Sequence, residues 1–379
     1  MARTLYFVAG EASGDEHGAA LMRTLRETEP NFRFRGRGGP QMKTAAVEGF
    51  RDWIEVAGVV GLWEVLKQYG YFRAQFRETL REIESTQPDA VVLIDYPGFN
   101  LRLARALRKR SPGQKIIYYI SPQVWAWNRG RIREMARTLD LMLCIFPFEV
   151  ELYNQSGLRT IFVGHPMIKA QAGRQLDSTR NPNLVALFPG SRFREVRKIF
   201  PAMLKTSREI CAQRPGTRFE VAAVSETLAA EIQQQLLKSP LPRDKVRVGV
   251  GENSAIMQRA SVGIIASGTA TLEAAYFRLP FVLVYKVAWL TYLAARLVVR
   301  LKYLGMPNVL AERQVVPEFI QHRAKPHAIA KGVLELMTDS PGRTRMISEF
   351  DAIVTKLGAH SASEEAANAI LQEIDRKEF

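Results

Sequence analysis

The chain is poor in cysteine, in clustered histidine and in long apolar runs. Its 379 residues include two cysteines and five histidines. Cys144 and Cys211 both sit in apolar stretches, which excludes a disulfide framework and fits a reducing compartment. His17, His165, His322, His327 and His360 show no H-x-x-x-H or Cys/His spacing, so no zinc site is expected. No stretch reaches 18 uncharged apolar residues. The nearest, Phe281–Leu304, is broken by Lys286, Arg296, Arg300 and Lys302, so no membrane-spanning segment is expected. The apolar run near Met1 is too short for a signal peptide and reads as a first strand. G-x-G-x-x-G is missing as well. Gly10 to Asp15 has the wrong spacing, Gly36-Arg37-Gly38-Gly39 runs on into Gln41, and no Walker A motif occurs, which argues against a dinucleotide oxidoreductase. There is no short-period repeat and no low-complexity tract.

Acidic residues are also scarce, 38 against 53 basic ones, for a net charge of +15. Such an excess suggests an anionic partner: nucleic acid, a membrane surface or a phosphorylated substrate. The basic residues are dispersed and no nucleic-acid-binding motif appears, so no nucleic-acid partner is expected.

What the chain does contain is alternation. Apolar runs predict strands at Thr4–Val8, Ala90–Ile94, Lys115–Ile120, Leu141–Ile145 and Thr160–Val163. After a polar, turn-rich stretch near Gln171–Pro182 they resume at Leu184–Phe188, Arg218–Ala223, Lys245–Val250, Val262–Ala266 and Phe281–Val284. Helical patterns fill the intervals, such as the stripe Leu101-Ala104-Leu107. Alternating βα units imply a parallel sheet in each half. The expected organisation is α/β: an N-terminal Rossmann-like domain over residues 1–170, a second over 171–352, and a helical tail over 353–379. Two doubly wound domains facing across a cleft form the GT-B architecture, although architecture alone does not establish function.

The most informative stretch is Leu184–Arg192, LVALFPGSR, where an apolar strand stops at Pro189-Gly190-Ser191-Arg192 and a helical pattern follows. Ligands bind at such strand ends in open α/β sheets. Gly190 lets backbone approach a ligand, Ser191 can cap the next helix, and Arg192 offers a fork for phosphate oxygens. A second such turn, Ser267-Gly268-Thr269, follows Val262–Ala266 and opens a helix carrying Glu273. Taken singly, each is an ordinary strand–helix turn; together they suggest a nucleotide diphosphate site. Asn308 follows a long basic segment, and Glu318 and Gln321 fall on one helical face, where they could bind a ribose or form a plain surface pair.

In the first half, Gly10-Glu11-Ala12-Ser13-Gly14-Asp15 follows the first strand, and Ser13 or Asp15 could simply cap the next helix. Asp95, in Asp95-Tyr96-Pro97-Gly98-Phe99-Asn100, stands at the end of a strongly apolar strand. It could take a proton from a hydroxyl attacking an anomeric carbon, or merely stabilise the turn, with Asn100 capping the following helix. Trp125 and Trp127 in Ser121–Asn128 would wall a pocket or pack between domains. His165 sits at a further strand end, where a solitary turn histidine is commonly structural. Asp-x-Asp, the metal signature of the other common glycosyltransferase architecture, is absent.

These motifs, together with FPFE at Phe146–Glu149, FVGHP, Glu195, ASGTATLE and MPN…VVPEFIQ, occur in an order that resembles the lipid-A-disaccharide synthase family from Val8 to about Gln321. The resemblance implies an inverting, metal-independent GT-B hexosyltransferase of lipopolysaccharide lipid A biosynthesis, with no cofactor. Such enzymes join UDP-2,3-diacylglucosamine to 2,3-diacylglucosamine 1-phosphate, giving the β-1′,6-linked disaccharide 1-phosphate and UDP. It makes Asp95 the general base and places UDP on Arg192, Ser267, Gly268, Thr269 and Glu273, with Asn308, Glu318 and Gln321 contributing. Glu11, Ser13 and Trp125 would line the acceptor side. A UDP-sugar epimerase of the same architecture is the alternative. Expected partners are the two glycolipids and, peripherally, the cytoplasmic face of a Gram-negative inner membrane; a homodimer is left open. Leu62, Trp63 and Leu66, with basic Lys67 and Arg73 nearby, form the expected membrane contact, and Trp289–Leu304 has a similar stripe that more simply faces its own core.

Overall fold

The computed structural model describes residues 3–54, 69–124, 130–174, 179–287 and 302–376. The chain divides into two compact units, Met1–Pro166 with Leu357–Phe379, and Met167–Lys356.

The first unit runs β1 (Thr4–Ala9), α1 (Ala12–Thr28), β2 (Arg33–Gly38), α2 (Pro40–Ala46), β3 (Phe50–Asp52), α3 (Tyr69–Thr86), β4 (Ala90–Ile94), α4 (Pro97–Arg110), β5 (Ile116–Tyr119), α5 (Gly130–Thr138), β6 (Leu141–Cys144), α6 (Phe148–Asn154) and β7 (Thr160–Phe162). The strands form one parallel sheet in the order β3-β2-β1-β4-β5-β6-β7. Side chains alternate along a strand, so β1 feeds two cores. Leu5, Phe7 and Ala9 pack with Leu21, Met22 and Leu25 of α1. Tyr6 and Val8 pack with Leu80 and Ile83 of α3 and with Leu103 and Leu107 of α4.

Strands β2 and β3 carry no apolar run, and sequence reasoning passed over both. In β2, Arg37 is fully buried and reaches Glu78 at 3.2 Å and Glu82 at 3.1 Å on α3. It also donates to the Gln75 side chain. Its charge is compensated some forty residues downstream, which no local pattern reveals. Only the guanidinium is buried; both carboxylates reach solvent at the rim of α3.

The second unit runs α7 (Met167–Ala172), β8 (Asn181–Phe188), α8 (Phe193–Gln213), β9 (Arg218–Ala223), α9 (Glu226–Leu237), β10 (Val246–Val250), α10 (Asn253–Arg259), β11 (Ala260–Ala266), α11 (Ala270–Tyr276), β12 (Phe281–Tyr285), α12 (Met306–Ala311), β13 (Glu318–Ile320), α13 (Pro326–Leu336) and α14 (Pro341–Lys356). Its parallel sheet has the order β10-β9-β8-β11-β12-β13. Every residue of β11 is buried, as expected of a central parallel strand covered on both faces.

The segment expected as a tail over 353–379 is shared between the units. Residues to Lys356 close α14, and the last helix, Ala362–Asp375, packs Ala366, Ala367 and Ile370 into the first unit's core. Lys115 caps that helix by donating to the carbonyls of Glu373, Ile374 and Arg376 at 2.5–3.0 Å. Cys144 is buried, whereas Cys211, near the end of α8, is only partly buried. Among the described residues, no helix is long and apolar enough to cross a membrane.

Candidate active site

Each sheet reverses its strand order once, between β1 and β4 in the first unit and between β8 and β11 in the second. Loops diverge at such a point and leave a crevice beyond the strand carboxyl ends. Glu11, Ser13 and Asp95 stand at the first of these places, and Arg192, Ser267, Gly268, Thr269 and Glu273 at the second.

At the first, Gly10 and Glu11 follow β1, and Asp95 follows β4. Asp95 and Tyr96 both have positive φ, 43° and 49°, where the chain turns from β4 straight into α4. Such conformations cost of order 1–3 kcal/mol each and persist only where surrounding contacts enforce them. Those contacts are visible. The Asp95 carbonyl accepts from the Tyr118 hydroxyl at 2.5 Å and the Asn100 amide at 2.8 Å, and the Asp95 N–H donates to Tyr119 O at 3.0 Å. The Tyr96 ring lies over Gly10, where a Cβ would fall 2.3 Å from it. Trp53 donates its indole N–H to Ala9 O at 2.6 Å and meets Tyr96 and Phe99 edge-on. The Asp95 backbone is thereby fixed at the strand end. Burial, and then the nearby Glu11 charge, push its pKa up to about 6, against the pull of a backbone hydrogen bond.

Two expected caps act differently. Asn100 lies inside α4 and turns its amide back to the carbonyls of Ile94 and Asp95, because that buried end of β4 needs donors. Asp15 is buried and accepts from Gly39, Gln41 and Met42 N–H at 2.9–3.0 Å, so it caps α2, not its own helix. Ser13 is exposed on the first turn of α1, and Glu11 is its half-buried N-cap without a side-chain capping bond. His165 packs its ring on Phe146, and its backbone N–H donates to Leu357 O at 2.8 Å. Burial holds its pKa down at about 4. Glu149 of the FPFE motif is fully buried; it accepts from the Ser121 hydroxyl and from Phe146 N–H, pinning the turn before Trp125. Trp125, Trp127, Leu62, Trp63, Leu66 and the stripe from Trp289 to Leu301 lie outside the described residues.

At the second reversal a cavity of about 280 Å³ brings together Gly190, Ser191, Arg192, Ser267, Gly268, Thr269 and Glu273. Its apolar wall includes Phe188, Ala222 and Val224. The first turns of α8 and α11 open onto it, and the leading N–H groups of a helix have no partner within the helix. Ser191 is not the cap expected from the sequence. Arg192 holds the N-cap position, and the turn is closed by Glu195, whose carboxylate accepts Ser191 N–H at 3.1 Å. Gly190, at φ 117°, leaves room for that carboxylate: a Cβ there would lie 2.6 Å from Glu195 Oε2. Burial raises the Glu273 pKa, and Arg174 opposes the rise.

Asn308, Glu318 and Gln321 do not line this cavity. The expected helical face also gives way: Glu318 opens β13, and Gln321 lies in a 3-10 turn after it, because this three-residue edge strand pairs with β12. Their polar atoms serve the backbone. Glu318 accepts from Leu304 and Gly305 N–H and from the Asn308 amide at 2.8–3.1 Å. Asn308 also bridges Val315 and Val316, and Gln321 makes two bonds to Val287. The Leu304 carbonyl, in turn, accepts from the Ser267 hydroxyl at 3.3 Å.

Solved structures of similar fold include the UDP co-structure of MnaA from S. aureus, at 13% identity and TM-score 0.66 over 99% of each chain. The glycotransferase of kitacinnamycin gives 14% and 0.64 over 98% of each. A putative UDP-N-acetylglucosamine 2-epimerase from Listeria monocytogenes gives 12% and 0.63 over 98% of this chain and 95% of that one. At these identities the likeness shows the fold alone, two doubly wound parallel units of the GT-B class. The sequence model of lipid-A-disaccharide synthetase matches residues 5–373. The lipid-A-disaccharide synthase of Geobacter sulfurreducens is 37% identical over 98% of both chains, and that of Coxiella burnetii (strain CbuG_Q212) 35% over 97% of this chain and 98% of its own. The chain belongs to the lipid-A-disaccharide synthetase family; it is a hexosyltransferase of lipid A biosynthesis, and the epimerases share only its fold.

Proposed function

We propose that the chain transfers 2,3-diacylglucosamine from its UDP derivative to 2,3-diacylglucosamine 1-phosphate, with inversion and without a metal. The observation that carries the chemistry is the Asp95 carboxylate, on a strand end of positive φ, with its pKa raised to about 6. A base of that strength is ionised at neutral pH and strong enough to accept a hydroxyl proton in the transition state. Inversion is a single in-line displacement and needs one such base. Glu11 and Ser13 act on the acceptor side, with Trp125 as pocket wall.

The leaving diphosphate needs compensating charge. Arg192 supplies a fork, and the N–H groups at Ser267, Gly268 and Thr269 supply fixed dipoles. Glu273 binds the ribose end. Glu318, itself held by Asn308, acts one step back: by fixing Leu304 and its loop it orients the Ser267 hydroxyl, while Gln321 holds the backbone at Val287. Leu62, Trp63 and Leu66 bring the enzyme to the cytoplasmic face of the inner membrane, where both acylated substrates reside. Each buried CH₂ is worth about 0.8 kcal/mol, so acyl chains resist leaving the bilayer.

The test is Asp95→Asn. Turnover should fall roughly 10²–10⁴-fold, the usual contribution of a general base, with UDP affinity unchanged. Near-normal turnover in the purified variant would remove Asp95 from the mechanism. EDTA should leave the wild type active.

A further inference from the structure

We propose that the Glu195 carboxylate is a built-in competitor for the nucleotide diphosphate, holding that site's donors whenever the ligand is away. The inference rests on the reading of the α8–α11 cavity as the diphosphate site.

The cavity is built to attract anions, yet it already contains one. Glu195 stands on the first turn of α8 and lines the cavity beside Arg192. Its Oε2 takes the Ser191 N–H at 3.1 Å, and its Oε1 lies 3.6 Å from Arg192 Nη1. A backbone N–H and a guanidinium at a helix N-terminus are the donor set that a phosphate oxygen seeks. The absence of a side chain at Gly190 makes this fold-back possible, since a Cβ there would lie 2.8 Å from the Glu195 Cβ as well as against its carboxylate. The Tyr285 phenol, at the end of the neighbouring β12, feels both partners: after burial, the Glu195 charge raises its pKa and the Arg192 charge lowers it.

One donor set serves one anion. Two anions in contact repel, and a partly enclosed cavity screens them less than bulk water does. An arriving diphosphate therefore trades places with the carboxylate at Ser191 N–H and Arg192, and the carboxylate returns when UDP leaves. The exchange keeps the donors satisfied in both states and holds UDP affinity low enough for product release. A fixed support for Arg192 would have the opposite sign: its charge would help the guanidinium bind phosphate.

Calorimetric titration of UDP into wild type and Glu195→Gln separates the two. The amide keeps an acceptor for Ser191 N–H and removes the charge. The dissociation constant for UDP should fall roughly two- to fivefold, the scale of an exposed ion pair, while that for uridine, which has no phosphate, stays unchanged. Weaker or unchanged UDP binding overturns the proposal. Should the Gln variant fail to fold, Glu195→Ala is judged by the same criterion. A wild type that binds uridine and UDP equally, or neither, would instead defeat the reading of the cavity as a diphosphate site.

Discussion

Replacing Asp95 with Asn should stabilise the protein at neutral pH while it removes the proposed base. In the folded chain, burial and Glu11 raise the carboxyl pKa from 3.8 to about 6. Each pH unit of that difference corresponds to 1.36 kcal/mol, so keeping the group ionised costs about 3 kcal/mol at pH 8. The side chain is only half-buried, and solvent screening brings the recoverable part to about 1–2 kcal/mol. The sign follows from proton counting. Between pH 3.8 and 6 the folded state binds more protons than the unfolded one, so stability falls as pH rises through that window. The penalty is complete above about 6 and absent below about 4. Asn, close in shape and uncharged, escapes it. For a unit of this size, thermal unfolding at pH 8 should shift upward by about 2–8 °C, and the gain should shrink as the pH is lowered toward 4. A variant that melts with or below the wild type at pH 8 would show that the ionised carboxylate is not strained, and would remove the argument for its raised pKa.

Glu11→Gln should lower the Asp95 pKa, because the nearby negative charge is gone. The acidic limb of the kcat/KM profile then moves down by less than about one pH unit, since burial is the larger cause; a limb that stays in place separates the two carboxylates. Arg192→Lys should retain charge but lose the bidentate fork, cutting kcat/KM about tenfold, with Arg192→Ala costing about 10²–10³-fold; full activity of the Lys variant contradicts the diphosphate contact. Glu318→Ala strips a carboxylate from two backbone N–H groups and the Asn308 amide and should cost about 2–4 kcal/mol, read by denaturant unfolding; a loss below about 0.5 kcal/mol would leave Glu318 free to bind ligand directly. Changing Leu62, Trp63 and Leu66 together to Ser should reduce sedimentation with anionic vesicles and spare UDP binding. Unaltered sedimentation places the membrane contact elsewhere.

The central strands were legible because a parallel strand buried on both faces is an apolar run: AVVLI in β4 and VGIIA in β11 admit little else. The turns that follow them were legible for the same reason, since a run that ends in Gly-Ser-Arg or Ser-Gly-Thr marks a strand end. β2 was not, because Arg33, Arg35 and Arg37 mask a strand whose one buried charge is neutralised from α3. β13 was not, because three residues carry no period and Glu318 and Gln321 happen to be spaced as on a helix. The roles of Asn308 and Glu318 were invisible for another reason. A polar side chain that holds a loop and one that holds a ligand are the same residue types, and only the hydrogen-bond partners tell them apart. The Glu195 fold-back depends likewise on the φ of Gly190, a three-dimensional fact.

The most direct test is the product itself. The purified enzyme is given UDP-2,3-diacylglucosamine with and without 2,3-diacylglucosamine 1-phosphate, and the lipids are analysed by mass spectrometry and by the anomeric coupling of the new linkage. Transfer of one diacylglucosaminyl unit, only when acceptor is present, with a β linkage and release of UDP, is the predicted result. Consumption of the donor without acceptor, or an α linkage, would contradict the account.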